Sequence, residues 1–335
     1  MTVRPHLFLT AAAALSVPGA AFAQADEPFD KHGTFSAVLE NDYFTGTDRN
    51  YTNGVRFSYV SGEKEPEGVS SVLAKYVLGA DQDSRIRRGF AIGQSIFTPR
   101  DITISTPLPD QHPYAGWLYG EYMIVVQKDD VVDQVTIQAG VIGPDAGGEF
   151  VQNHWHALIG GDKAEGWDNQ IGNEPGLVVS YDHRRRALLE MKNSRIGVDI
   201  TPTYGFSLGN IQTNARAGLT LRFGEDLKSD YGPPRIRPAL AGSGYFVPAD
   251  DGFSWYFYAG AEARAVAYDA FLDGRMFHDG DPYVDSKVFV GDFQAGLVTQ
   301  IRHVQIAYTY VVRTEEFEGQ DGAQRFCAIS LSAKF

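Results

Sequence analysis

The run from Val141 to Gly176, VIGPDAGGEFVQNHWHALIGGDKAEGWDNQIGNEPG, gathers Gln152, Asn153, His154, His156, Asp162, Trp167, Asp168 and Glu174 within a few turns of chain. A histidine near its unperturbed pKa of about 6.5 can take a proton from water near neutral pH, which makes His156 a candidate general base. Gln152 lies four residues earlier and shares its face if the stretch is helical, so either can orient the other or a substrate. Taken alone, an isolated loop histidine such as His156 is more often structural than catalytic. No serine falls between Ser105 and Ser180, which argues against a serine nucleophile in this stretch. A zinc site of His154, His156 and Asp162 lacks a histidine pair at i, i+4 and is the weaker metal reading.

A second polar cluster is ENDYFTGTDRNYT, from Glu40 to Thr52. The carboxylate, amide and hydroxyl oxygens of Asp42, Asn41 and Thr52 are hard ligands suited to Ca²⁺. The same residues also read as turn caps. By strand alternation Asp42 shares the inward face with Glu40, and Thr52 shares it with Gly54 and Arg56. Water activated by a histidine, with a cation stabilising the developing oxyanion, needs only the residues named so far.

These clusters must be positioned by strands. Phe35, Ala37 and Leu39 alternate with polar partners, and so do Val55, Phe57 and Tyr59. The pattern returns at Val135 to Val141, Ala215 to Phe223, Trp255 to Ala263 and Val304 to Val312. Strands of about 9 to 11 residues with an apolar face and charges on the other mark a transmembrane antiparallel β-barrel. Six less regular segments, Arg88 to Phe97, Trp117 to Gln127, Leu177 to Asp182, Ile196 to Leu208, Phe289 to Thr299 and Phe326 to Phe335, bring the expected total to about twelve, an even number that leaves both termini on the periplasmic side. The connections Glu40 to Thr52, Thr98 to Tyr114 and Val141 to Gly176 then share the outer rim. The Gly and Pro punctuation of the last predicts an ordered cap with a short helix. A second short helix is expected at Val72 to Val77 on the periplasmic side, and Glu225 to Asp251 reads as an external loop.

Met1 to Ala23 has the layout of a secretory signal: Arg4, an apolar run from Leu7, and Ala21-Phe22-Ala23 as the cleavage site. The expected division is therefore 1–23 signal and 24–335 barrel. A net charge of −13 disfavours nucleic acid as a partner. The lone Cys327 excludes an intramolecular disulfide. The chain ends on Phe335 with Ala333, Leu331 and Ile329 on the same face, like the last strand of an outer-membrane barrel.

The blocks END at Glu40, DRNYTNG at Asp48, GQSIFTP at Gly93, PYAGWLY at Pro113, GVIGPDAGGEFVQNHWH at Gly140 and GWDNQI at Gly166 occur in this order. Through them the chain resembles the outer-membrane lipid A deacylases of the LpxR type. The resemblance implies a twelve-stranded barrel that hydrolyses the ester of the 3′-acyloxyacyl chain of lipid A with Ca²⁺. It makes His156 the base that activates water and places Asn41, Asp42 and Thr52 in the site, with Asp42 as the leading calcium contact. Gln152 and Asp162 follow from the same matching, Asp162 standing where a site glutamate can occur. Two positions depart from the pattern. Gln111-His112 replaces an aspartate-arginine pair, and the expected loop lysine has Arg100 as its nearest basic residue, a candidate contact for a lipid A phosphate. A passive pore and an outer-membrane phospholipase are the alternatives, and the inward Arg56, Arg216, Arg222, Glu262 and Arg264 suit a polar lumen or a salt-bridged plug.

Overall fold

The computed structural model describes residues 30–335 apart from 47–48, 64–67, 191–194 and 238. The expected signal, residues 1–23, lies outside the described part. Thirteen strand segments join by antiparallel pairing. They are β1 (Thr34–Asn41), β2 (Asn50–Val60), β3 (Arg85–Thr98), β4 (Ala115–Lys128), β5 (Val131–Ile142), β6 (Glu174–Arg185), β7 (Ala187–Glu190), β8 (Ile196–Gly209), β9 (Gln212–Glu225), β10 (Phe253–Asp269), β11 (Phe289–Ile301), β12 (Val304–Arg313) and β13 (Gln324–Lys334). Both β6 and β7 pair with β8, so they fill one position in a wall of twelve. Pairing of β1 with β13, from Thr34↔Lys334 to Asn41↔Cys327, closes the barrel.

Alternation decides the two faces. Phe57, Phe90, Ile92, Leu221, Phe257 and Leu331 stand exposed on the outside, forming an apolar band. No helix among the described residues is long and apolar enough to cross a membrane, and the crossing falls to the strands. Inside, charges are paired: Arg56 with Glu121 at 2.5 Å, Arg216 with Asp182 at 2.6 Å, and Arg264 with Asp292 at 3.5 Å. Buried arginines tolerate this because each planar guanidinium meets a carboxylate in a dry interior.

The connection from Glu225 to Asp251 is not an external loop. It leaves β9 at the end of the barrel that holds both termini, and it folds up into the lumen as a plug. Arg235 Nε donates to Glu40 at 2.6 Å, the Tyr245 hydroxyl donates to Gln127 at 2.7 Å, and Arg237 pairs with Asp182 at 2.5 Å. Phe246 is fully buried, and the Lys334 ammonium donates to its carbonyl. The salt-bridged plug is thus the arrangement present. At the opposite rim the lumen keeps a small cavity of about 20 Å³, with Tyr51, Ser95, Phe97, Gln138, Arg237 and Glu316 in its lining.

Helix α1 (Val69–Val72), continued by a π turn at Leu73–Val77, covers the outside of β3 and β4 at the terminal end, where Ala74 packs with Ile86 and Ile124. Helix α2 (Gly148–Ile159) covers the same two strands at the far rim. A last short turn, α3 (Ala270–Asp273), is capped by Asp269, whose carboxylate accepts from Phe271 N.

Candidate active site at the far rim

Helix α2 begins at Gly148 after its cap Gly147, and Gly148 permits its close seat on the wall. A Cβ at Gly116 of β4 would lie 3.2 Å from Ala146 Cβ and 3.3 Å from Gly148 N, so the helix base rests directly on the strand. Gly116 pairs with Ile96, which shares the outward side of β3 with Phe90 and Ile92. Val151 packs with Ile96, and Gln94 Nε2 donates to the Ala146 carbonyl at 2.6 Å. The helix therefore lies on the outer face of the barrel, immediately beyond the apolar band. Main-chain bonds fasten the rest of the stretch to the β3–β4 connection: Ile171 N donates to Tyr114 O at 2.9 Å and Glu165 N to Ile102 O at 2.8 Å. The expected ordered cap with a short helix is what forms.

The helix has two unlike sides. Gln152 and His156, four residues apart, are 3% and 4% exposed. Phe150 and Leu158 are 66% and 77% exposed, with the His154 ring against Phe150 at 4.0 Å. Gln152 Oε1 accepts from Trp167 Nε1 at 2.8 Å, while its Nε2 is buried without a hydrogen-bond partner. Trp167 is pinned by Tyr114, with ring centroids 4.9 Å apart.

His156 Nδ1 lies 2.5 Å from the main-chain carbonyl of Asp162. A carbonyl only accepts, so Nδ1 carries the proton and Nε2 the lone pair. The chain is bent back to make this bond by Asn153, whose Oδ1 accepts from Ala164 N at 2.9 Å. Asp162 thus reaches the site through its carbonyl, and its side chain is exposed. His154 Nδ1 is engaged with the Phe150 carbonyl at 2.7 Å, and among the described residues no three His, Cys, Asp or Glu side chains gather as a metal cage. The zinc reading finds no geometry there.

The second half of the site is the β1–β2 tip. Asn41 continues the outward series of Leu39 and pairs with Asn53. Its Oδ1 accepts from Tyr43 N at 2.8 Å, turning the chain. Asp42 is fully buried, and its Oδ2 accepts from Arg49 N at 2.8 Å. Thr52 does not share the inward face with Gly54 and Arg56. The register slips between Tyr51 and Asn53, making Thr52 the extra residue of a β-bulge. Its hydroxyl meets that of Thr98 at 2.7 Å, and Thr98 belongs to the outward series of Ile92 and Ile96. Glu40 stays inward, accepting from the Tyr51 hydroxyl at 3.0 Å and from the plug.

Strand β3 joins the halves. Thr98, bonded to Thr52, and Ile96, beneath Val151, are two residues apart on one face, roughly 7 Å along a strand. The site so formed is on the outside of the wall, and none of Asn41, Asp42, Thr52, Gln152 or His156 lines the lumen cavity. Its donors suit a hard cation: a buried carboxylate on Asp42 beside amide and hydroxyl oxygens, with no thiolate or second histidine. Arg100 stands at the rim on the other side of Thr98, 57% exposed in its side chain and bonded to Asp321 at 3.0 Å. Gln111, at the first departing position, accepts from Arg100 N at 2.9 Å and so anchors this loop without an arginine. His112 stacks on Phe97 at 5.2 Å. Trp167, Thr98 and the Gly116 seat complete the site. Only the glycines in PYAGWLY and DAGGEF carried a sequence signal for the close approach.

A plugged twelve-stranded barrel with an apolar belt is the architecture of an outer-membrane protein. The chain belongs to the LpxR family, since the family model described as outer membrane protein LpxR matches residues 7–335. LpxR from Salmonella typhimurium superposes with a TM-score of 0.73 at 20% identity, covering 90% of this chain and 100% of that one. The beta domain of the Bordetella autotransporter Brka gives a TM-score of 0.45 at 10% identity, over 91% of this chain and 99% of that one. No curated protein sequence matches the chain.

Proposed function

We propose that the protein is a lipid A 3′-O-deacylase, with the ester of the 3′-acyloxyacyl chain cleaved by water between α2 and the rim of β1 to β3. The observation that carries this reading is His156, buried on the wall side of a helix that lies against the outer face of the barrel, with Nδ1 committed to a carbonyl. Nε2 is thereby the basic nitrogen, held in one tautomer by the bond at Nδ1. It removes the proton from a water molecule as that water attacks the ester carbonyl, and it returns the proton to the departing sugar oxygen. Gln152, four residues earlier on the helix, has its Nε2 buried without a hydrogen-bond partner among the described residues and is suited to hold the ester or the water. The buried Asp42 carboxylate, with Asn41 and Thr52 oxygens, would hold Ca²⁺, which supplies positive charge to the tetrahedral oxyanion when bound.

A lipid substrate fits this placement because its acyl chains never leave the bilayer. The exposed Phe150 and Leu158 extend the apolar band upward, so the ester is met where headgroup and hydrocarbon join. The plugged lumen argues against the passive pore, and the choice between lipid A and a phospholipid rests on the family. Mass spectrometry of lipid A from membranes carrying the chain tests the reading. Wild type with calcium loses the 3′-acyl mass, and His156→Ala slows this about 10²- to 10⁴-fold. Unimpaired turnover by a folded His156→Ala protein would remove His156 from the mechanism.

A further inference from the structure

Two arginines and one carboxylate meet beside this site. Arg100 Nη1 donates to Asp321 Oδ2 at 3.0 Å, Arg49 Nη1 lies 3.7 Å from the same oxygen, and Arg49 Nη2 donates to the Asp321 main-chain carbonyl at 2.8 Å. The arginines are firmly placed. Arg49 N donates to Asp42 Oδ2, its carbonyl accepts from Gln324 Nε2 at 3.0 Å, and its side chain is only 19% exposed. Arg100 is held through its main chain by Gln111. The carboxylate differs: Asp321 is 76% exposed, in a turn between Gly319 and Gly322, both in the left-handed region. Arg49 Nε is moreover buried without a hydrogen-bond partner among the described residues, so the anion now present leaves a donor unused.

We infer that Arg49 and Arg100 form a phosphomonoester site and that Asp321 is a built-in stand-in for the phosphate, displaced when the anion arrives. A carboxylate brings two oxygens and one charge, whereas a phosphomonoester brings three terminal oxygens and up to two charges, enough to reach both guanidiniums and the idle Nε. The exchange is easy in one direction because an exposed ion pair contributes little, while Arg49 stays ordered through its main chain. The pair stands out in a chain of net charge −13, where it is a local reversal of sign next to Asp42 and Thr52. This inference rests on the proposed function for the identity of the lipid headgroup, but the anion site itself does not require turnover.

The test uses the full chain in detergent, following arginine Nε–H signals by ¹⁵N NMR while sodium phosphate is added against sodium chloride of equal ionic strength. The signals assigned by Arg49→Lys and Arg100→Lys shift saturably, and Asp321→Asn tightens phosphate binding by about two- to fivefold, the range set by loss of an exposed competitor. Unmoved signals, or Asp321→Asn binding phosphate no better than wild type, would refute the site. In bicelles, phosphorylated lipid A moves the same two signals and dephosphorylated lipid A does not. Equal shifts with both lipids would refute the headgroup as the source of the anion. Phosphate binding in a protein with no deacylase activity would uphold the site and overturn only the functional reading.

Discussion

Gly116→Val should stop the enzyme without unfolding the barrel. The β-carbon alone would lie 3.2 Å from Ala146 Cβ and 3.3 Å from Gly148 N, tighter than ordinary van der Waals contact. Valine adds two methyl groups roughly 1.5 Å further out, into helix backbone that has no side chain to swing aside. Overpacking of this kind typically costs about 1–3 kcal/mol. The wall has many ladder bonds and α2 is fixed by fewer, so the helix base lifts rather than the strand. A shift of about 1 Å in a catalytic group can cost roughly 10²-fold in rate, which is the expected loss in deacylation by detergent-solubilised protein. Gly120→Val is the control: it faces outward on the same strand four residues on, and its β-carbon would meet only Ala139 O, at 3.9 Å. Heat-dependent gel mobility shows whether each variant is a folded barrel. A folded Gly116→Val protein within twofold of wild type would refute the argument that the seat of α2 on the outer wall places His156.

Three further outcomes follow from particular contacts. Burial pushes His112 down to about 4 from its ordinary 6.5, although the Pro113 carbonyl accepts from its ring. The folded state therefore excludes a proton that the unfolded state binds below about pH 6.5, and stability falls as pH drops from there to about 4, by up to about 3 kcal/mol; denaturant titrations should show this slope, and His112→Phe should flatten it. Arg235→Ala strands the Glu40 carboxylate in the lumen, a change that costs about 3–5 kcal/mol in buried pairs, and a lowered unfolding midpoint is expected while planar-bilayer current stays near baseline in wild type. Trp167→Phe removes the donor to Gln152 and leaves a second unsatisfied atom on that amide, costing about 1–3 kcal/mol locally, with lost activity and an unchanged barrel melting temperature.

The wall was legible because its physics is periodic. Each of the twelve expected segments lies on an observed strand, since an apolar outside and a polar inside force alternation along the whole length. His156, Gln152, Asn41, Asp42 and Thr52 were legible as residues but not as a geometry. The parity argument failed at Thr52 because a single bulge reverses it, and Tyr51-Thr52-Asn53 has no glycine to announce one. Composition failed for the Glu225 to Asp251 segment, whose Gly and Pro content looks the same in a plug as in a loop. Counting strands would have sent that segment to the terminal end. The bond from His156 Nδ1 goes to the Asp162 carbonyl, a group every residue carries and no sequence displays.

The plug also bears on how the chain can be assembled. It lies between β9 and β10 in sequence, yet it grips both strands of the closing seam, Glu40 on β1 through Arg235 and Lys334 on β13 through the Phe246 carbonyl. Those partners are 195 and 88 residues from it along the chain. Such distant pairings form late. Closing β1 onto β13 and seating the segment are therefore coupled, because each seam strand carries one of these two contacts. The stopper is a clasp on the seam as well as a seal of the lumen.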